Sequence, residues 1–249
     1  LSLTVDRTSG KRYLGYLGGT ISEVECASSD AVIASSPDGK TWSKRTVATA
    51  GPFAGDTVGY WMAVAVDGQG KDHAVYGDVR YGYYEQDGRA KASALYDDGT
   101  AASGNVIAAQ NGGGVYNGLI FDTQGRPVAM QYNSMQKGTA GGLQLAVKQG
   151  SAWQSQQVVS GATSERPSLA TDGKGLVGIA YYEPGKQILR YTYAAKDLTG
   201  WKDEVADGDL THNGEFSSLA FDSQGRAGIS YYKCGKYGQD QCDPARDGL

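Results

Sequence analysis

The chain has 249 residues, of which 40% are hydrophobic and 37 are glycine, and its formal net charge is −4. Its lysines and arginines are scattered along an acidic sequence, which argues against a nucleic-acid partner. No stretch approaches the roughly 18 consecutive apolar residues that a transmembrane helix needs, which argues against a membrane span. The 17 tyrosines and 6 prolines, together with the many glycines, favour short strands and turns, so we expect an all-β protein.

One pattern recurs along the chain: an alternating strand, an Asp-x-x-Gly turn and a second strand. Its clearest copy runs from Ser218 to Tyr232, and a looser copy begins the chain. The turn aspartates are separated by 61, 55, 50 and 50 residues and are Asp6, Asp67, Asp122, Asp172 and Asp222. Each copy predicts a β-hairpin, because the aspartate can accept backbone N–H groups and glycine tolerates a positive φ. A strand-based repeat of this length is typical of a solenoid, a propeller or an array.

In chain order the sequence predicts five repeats, at about 1–50, 58–111, 115–160, 166–207 and 216–249. Each of the first four predicts four strands: 1–6, 12–17, 31–36 and 42–48; 61–67, 73–77, 92–96 and 105–110; 115–122, 127–132, 143–148 and 153–159; 167–172, 177–182, 187–193 and 201–206. Trp42, Trp153 and Trp201 head the fourth strand in three of them, which supports this alignment. A repeat of about 50 residues does not bury its own apolar face, so we expect one domain over residues 1–249.

The fifth repeat predicts only two strands, 216–222 and 227–232. Either the N-terminal strands complete it, or the missing strands lie in a further stretch of polypeptide or in a second chain. We favour the latter, because residues 1–6 already match a first strand. The sequence does not begin with Met, as expected if a signal peptide or propeptide has been removed.

The turn at residues 36–42 reads Ser-Pro-Asp-Gly-Lys-Thr-Trp. It resembles the Asp-box, or BNR repeat, of the sialidase-like β-propellers, Ser-x-Asp-x-Gly-x-Thr-Trp, although it is one residue short. The resemblance implies a β-propeller of about five four-stranded blades, with the last blade incomplete in this chain. It also implies that Ser36, Asp38, Gly39, Thr41 and Trp42 are structural and lie opposite the ligand face.

On the expected ligand face, the loops between second and third strands are long in three repeats, at 18–30, 77–91 and 233–248. Long loops on a rigid scaffold frequently carry binding residues. Tyrosines interleaved with charges suit the recognition of a glycan or a protein. We therefore predict a binding surface that contains Asp78, Arg80, Tyr81, Tyr83, Tyr84, Glu85 and Tyr237.

Catalytic candidates are few. Sialidases need an arginine triad, a Tyr–Glu pair and an aspartic acid, and their early Phe/Tyr-Arg-Ile-Pro motif is absent here. Glu183, at the end of a predicted strand, is the first acid to test, with Tyr182 beside it and Arg166 in a Glu-Arg-Pro sequence. His73 is expected to be a half-buried strand residue rather than a ligand.

No Cys/His spacing resembles a zinc site, and we expect neither a metal site nor a cofactor. Calcium is the one cation to consider, through Asp207, Asp209, Asn213 and Glu215, although their spacing matches no EF-type loop. Cys234 and Cys242 flank a seven-residue loop and predict a disulfide, with free thiols or a pair containing Cys26 as the alternatives.

The function that these observations favour is a secreted or cell-surface β-propeller that binds a glycan or a protein. Two alternatives remain. One is a glycoside hydrolase of the sialidase-like kind that uses acids on the loop-rich face, and the other is a structural subunit completed by a partner chain.

Overall fold

The computed structural model describes residues 1–19, 29–50, 57–84, 90–100, 105–109, 115–133, 142–161, 166–195, 198–208, 213–234, 237–238 and 241–242. These ranges contain twenty strands: β1 Ser2–Val5, β2 Arg12–Gly19, β3 Ser29–Ser36, β4 Ser43–Ala48, β5 Thr57–Val66, β6 Asp72–Tyr84, β7 Ala90–Asp97, β8 Asn105–Ala109, β9 Val115–Phe121, β10 Pro127–Asn133, β11 Gly142–Gln149, β12 Ala152–Ser160, β13 Ser168–Thr171, β14 Val177–Glu183, β15 Ile188–Ala194, β16 Lys202–Asp207, β17 Asn213–Phe221, β18 Ala227–Lys233, β19 Tyr237–Gly238 and β20 Gln241–Cys242. The prediction of an all-β protein is confirmed. No helix in these ranges is long and apolar enough to cross a bilayer.

Successive strands pair antiparallel in sets that follow the predicted repeats. The sets are β1–β4, β5–β8, β9–β12, β13–β16 and the two-stranded β17–β18. A single parallel pair, Ser29 with Thr57, joins the first two sets. Each of the first four sets contains four strands, whereas the division into repeats, closure into a ring and the number of blades stay predictions.

The repeated hairpin turns form as their chemistry predicts. The Asp222 Oδ1 accepts the N–H groups of Gln224 and Arg226, both at 2.9 Å, and Gly225 has a φ of 80°. Asp67 and Asp172 accept from the residues two and four positions later in the same way. The aspartate thus supplies acceptors inside its own turn.

The turn between β3 and β4 is also held by its aspartate. The Asp38 Oδ1 accepts from the backbone N–H groups of Thr41 and Lys40, each at 2.8 Å, and from the Ser36 hydroxyl at 3.0 Å. These hydrogen bonds, Thr41 first, lower the pKa of Asp38 to about 2. The geometry fits a structural role, while membership of the Asp-box family stays a prediction.

The chain forms two compact units, Leu1–Phe121 with Gly125–Gln157, and Asp122–Gln124 with Val158–Leu249. Inside each unit, a serine of one repeat's first strand binds the first strand of the next repeat. Val64 N–H donates to Ser2 Oγ at 3.1 Å in the first unit, and Leu219 N–H donates to Ser168 Oγ at 2.9 Å in the second. The first strands of consecutive repeats are therefore neighbours within each unit.

The core lies between these neighbouring strand sets. In the first unit it has two buried clusters, one around Val75 and Tyr96 and one around Ile33 and Tyr76. In the second unit the cluster is formed by Ala180, Tyr191 and Leu219.

Two features differ from the sequence analysis. The expected long loop at 77–91 is mostly strand, because β6 continues to Tyr84 and Arg80 pairs with Lys91 of β7. Tyrosines have a high strand propensity, so the same residues that suggested a binding loop extend the hairpin. In addition, His73 is buried rather than half-buried, with its Nδ1 2.6 Å from the Tyr96 hydroxyl and its Nε2 3.0 Å from Asp67.

Cys234 is fully buried and disulfide-bonded. Its predicted partner Cys242 lies in β20, opposite Tyr237 of β19, but the side chain of Cys242 is outside the described part of the structure. The Cys234–Cys242 pairing therefore stays a prediction.

Candidate functional site

Polar side chains from three adjacent strands of the second compact unit share one face of their sheet. Tyr181 and Glu183 are two residues apart on β14 and so point to the same side. Arg190 of β15 pairs directly with Tyr181, and on its other side it pairs with Val205 of β16. Asp203 lies two residues before Val205, so alternation brings it to this same face.

Arg190 links the two acids of this face. Its Nε donates to Asp203 Oδ2 at 2.9 Å, and its Nη2 donates to the same oxygen. Its Nη1 donates to Glu183 Oε2 at 3.2 Å. The Tyr181 hydroxyl completes the network by donating to Asp203 Oδ1 at 3.1 Å. We call Tyr181, Glu183, Arg190 and Asp203 the Arg190 cluster.

The Arg190 cluster lines a cavity of about 500 Å³. The lining also includes the end of β12, with Val158, Val159 and Ser160, and the following Gly161. The β14–β15 turn supplies Gly185 and Lys186, whose Nζ lies 3.1 Å from Glu183 Oε1. This cavity therefore combines aliphatic side chains with two acids and two cations.

The electrostatics follow from these contacts. Hydrogen bonding to Asp203 is the main influence that raises the pKa of Arg190 above its ordinary value, against the opposing effect of burial. Burial, followed by the nearby Asp203 carboxylate, raises the pKa of Tyr181. Arg190 is therefore a permanent cation and Tyr181 a neutral hydroxyl at physiological pH. Only 16% of the Arg190 side chain is exposed, so this guanidinium is held in place rather than free in solvent.

The structure separates the three catalytic candidates. Glu183 lines the cavity. Tyr182 points to the other face of β14 by alternation and is 4% exposed. Arg166 precedes β13 and does not line the cavity, so the three residues do not form one constellation.

The predicted binding residues lie mostly along β6. Asp78 is buried at 9% exposure. Arg80, Tyr81, Tyr83 and Tyr84 are also in β6, while Tyr237 is in β19. The side chains of these five residues, and Glu85 altogether, lie outside the described part of the structure, so this binding surface stays a prediction.

The described residues contain no group of three or more His, Cys, Asp and Glu side chains arranged to hold a metal ion. Of the calcium candidates, Asp207 accepts from the Tyr231 hydroxyl at 2.5 Å and lies 3.5 Å from Lys233 Nζ. Asp209 and the side chain of Asn213 lie outside the described residues, so a calcium site stays a prediction.

Sequence reasoning found Glu183 but missed Arg190, Asp203, Tyr181 and Lys186. The sequence did contain a signal for the position of Arg190. The short turn between the predicted strands 177–182 and 187–193 fixes the hairpin register, which places Arg190 opposite Tyr181. Asp203 could then be placed only by pairing a third strand, whose bulge shifts the register.

No known sequence family and no curated protein matches the chain. Solved structures do match. A polysaccharide lyase described as an ulvan lyase superposes with a TM-score of 0.63 at 11% identity, over 93% of this chain and 63% of that protein. An α-L-arabinanase of Penicillium chrysogenum, solved with arabinobiose, gives 0.61 at 11% identity over 92% and 73%. A variant of the NanB sialidase of Streptococcus pneumoniae gives 0.59 at 10% identity over 94% and 56%.

The chain thus spans between about half and three quarters of the length of these proteins. At such low identities the comparison shows the fold alone. The arabinanase and the sialidase have β-propeller-like folds, so the predicted resemblance to sialidase-like propellers is confirmed at the level of the fold.

Proposed function

We propose that the protein is a β-propeller that binds a glycan in the cavity of its second compact unit. The observation that carries the proposal is Arg190, held between Glu183 and Asp203 in the wall of a cavity of about 500 Å³. Cavities of roughly 300–1,000 Å³ are the usual size for small-molecule sites. Because the ion pairs fix these side chains in advance, a ligand would lose little affinity to side-chain ordering.

The chemistry of the lining favours a neutral sugar. Sugar hydroxyls both donate and accept, so they can use carboxylate acceptors together with guanidinium and ammonium donors. Val158 and Val159 both line the cavity at the end of β12, and because successive strand residues alternate, one of the two side chains offers an apolar wall for the C–H face of a sugar ring. The two acids balance Arg190 and Lys186, so neither a strongly anionic nor a strongly cationic ligand is favoured.

The fold gives independent support. Structural neighbours include an arabinanase, an arabinofuranosidase and a sialidase, all named for glycan substrates. From these neighbours we carry over to this chain only the class of ligand, a glycan.

The test is a glycan array followed by calorimetric titration of the best neutral oligosaccharide. Asp203→Asn preserves shape but removes the charge that Arg190 holds, and we expect it to weaken binding at least tenfold, about 1.4 kcal/mol. The matched control is Glu204→Gln. Glu204 lies on the same exposed strand as Asp203 but points to the other face by alternation, so this variant should bind the oligosaccharide like the parent. Equal affinities for the parent and both variants, or an array without hits, would contradict the proposal.

A second candidate function is glycan cleavage. It is favoured by two carboxylates in one cavity and by neighbours named as hydrolases and lyases. Glycoside hydrolases use one carboxyl group as a proton donor, whereas Glu183 and Asp203 both accept hydrogen bonds from Arg190. This arrangement is why we place binding first.

The two functions are separated by measuring reducing ends released from arabinan and xylan, and unsaturated products released from ulvan. Turnover by the parent that falls at least a hundredfold in Glu183→Gln, with oligosaccharide affinity retained, would establish cleavage. Binding without turnover would establish the glycan-binding function.

We also propose that the protein works outside the cytosol. The disulfide at Cys234 supports this, because such bonds persist mainly in oxidising compartments. Finding the native protein in the cytosol with reduced thiols would contradict it.

A further inference from the structure

A second feature repeats along the chain with the period of the hairpin turns. Six residues before the turn aspartate, four repeats place a large residue in the left-handed region of backbone conformation. These residues are Trp61 at φ 46°, Tyr116 at 51°, Arg166 at 67° and Phe216 at 55°. Trp61, Tyr116 and Phe216 lie in the first strand of a repeat, and Arg166 lies two residues before that strand.

This conformation is unfavourable for such residues. In the left-handed region the Cβ atom crowds the following carbonyl, and glycine or asparagine normally occupies it. Backbone strain of this kind is concentrated at functional sites. Retaining a bulky side chain at all four positions therefore calls for an explanation.

The backbone itself is explained by packing. The pairing register shifts beside Trp61 and beside Phe216, as in a β-bulge, which re-aims a side chain. Two residues earlier, Gly59 and Gly214 also have positive φ, and an added Cβ would lie 2.9 Å from the Ala31 Cα and 2.8 Å from the Leu189 Cα. The close approach of neighbouring strands thus fixes the bulge.

Packing does not explain the side chains. The backbone conformation repeats, but its occupant changes among tryptophan, tyrosine, arginine and phenylalanine. Phe216 is 52% exposed and Trp61 is 37% exposed, although both are large and apolar. A side chain retained for its contribution to the core would be buried by neighbouring residues. These exposed rings are therefore available to contact a ligand from solvent.

In each compact unit the large residues of consecutive repeats touch one another. In the first unit the Trp61 ring lies 5.3 Å from the Tyr116 ring in an edge contact, and Tyr60 lies 4.9 Å from Trp61 on its other side. In the second unit the Arg166 guanidinium carbon lies 4.9 Å above the Phe216 ring. Each unit therefore has a partly exposed ring, Trp61 or Phe216, that packs against a neighbouring side chain.

We propose that these left-handed side chains are contact points for a glycan, with Trp61 and Phe216 stacking against the apolar faces of sugar rings. The inference rests on the proposed glycan-binding function and adds one contact surface in each compact unit, each separate in residues from the Arg190 cluster. A flat ring with polar groups at its edge, such as a tyrosine hydroxyl or a guanidinium, suits a sugar face bordered by hydroxyls.

The test uses Trp61→Asn and Phe216→Asn, because asparagine removes the ring yet tolerates the left-handed conformation. For each variant, at least one oligosaccharide that the parent binds on the array should bind at least tenfold more weakly than it binds to the parent. Trp42→Ala is the matched control, because Trp42 is 36% exposed but lies in the β3–β4 turn, and it should bind like the parent.

Thermal melting separates a ligand role from a structural one. Phe216→Asn relieves backbone strain at a positive φ and removes a side chain that is 52% exposed, so it exposes little of the core. The variant should therefore melt at or above the melting temperature of the parent. A clearly lower melting temperature would show that the ring is structural and would overturn the inference.

The binding outcomes keep the two proposals apart. Undiminished binding by both asparagine variants, with binding lost in Asp203→Asn, would overturn this inference and leave the proposed function in place. An array without hits for the parent would remove the proposed function and this inference with it.

Discussion

Asp38 illustrates how single carboxylates organise the turns of this chain. It accepts three hydrogen bonds from residues no more than three positions away, and Asp222 accepts from residues two and four positions later in its own hairpin. Both roles could be predicted from sequence, because the acceptor and its donors are neighbours along the chain. Arg190 could not be predicted, because its partners Glu183 and Asp203 become neighbours only after three strands have paired.

The low pKa of Asp38 makes a prediction about pH. Its pKa in the folded protein, about 2, lies below the ordinary value of 3.8. The ionised form therefore stabilises the fold above the unfolded pKa, and this contribution is lost as pH falls towards 2. Asp38→Ala should therefore melt a few degrees below the parent at pH 7, and the difference should narrow between pH 4 and pH 2. Melting curves followed by circular dichroism check this, and a gap that stays constant with pH would contradict it.

At the scale of elements, the strands were predictable wherever turn chemistry marked their ends. Each predicted hairpin of the first four repeats forms, with boundaries shifted by a few residues. The exception is β6, which runs on to Tyr84. Its tyrosines are compatible with a strand or with a binding loop, and only pairing with β7 decides between them.

The bulge at the start of β17 depends on Gly214. Its φ is 115°, and an added Cβ would lie 2.8 Å from both the Cα and the Cβ of Leu189. Gly214→Ala should lower the free energy of unfolding by about 2–3 kcal/mol, because strain and a backbone clash act together. Chemical denaturation measures this loss.

Gly173→Ala is the matched control. Gly173 has a φ of 73° with nothing within 4 Å of an added Cβ, so only the left-handed penalty of about 1–2 kcal/mol applies. If the two substitutions cost the same, the close approach of Gly214 to β15 does not contribute to stability.

At the scale of the molecule, the period of about 50 residues predicted the all-β repeat architecture, and the structural neighbours support a propeller-like fold. The left-handed side chains shared that period and could have been found by aligning the repeats on their aspartates. Their left-handed conformation could not have been predicted from the sequence, because tryptophan and phenylalanine carry no sequence signal for a positive φ. The site on the Arg190 cluster likewise depends on non-local pairing.

Binding of a glycan in the cavity beside Arg190 would be seen directly in a crystal structure of the protein with the best neutral oligosaccharide. We expect a sugar ring against the end of β12, at residues 158–160, with hydroxyl oxygens within hydrogen-bonding distance of Arg190 and Asp203. An oligosaccharide bound elsewhere on the protein, with this cavity holding only solvent, would contradict it.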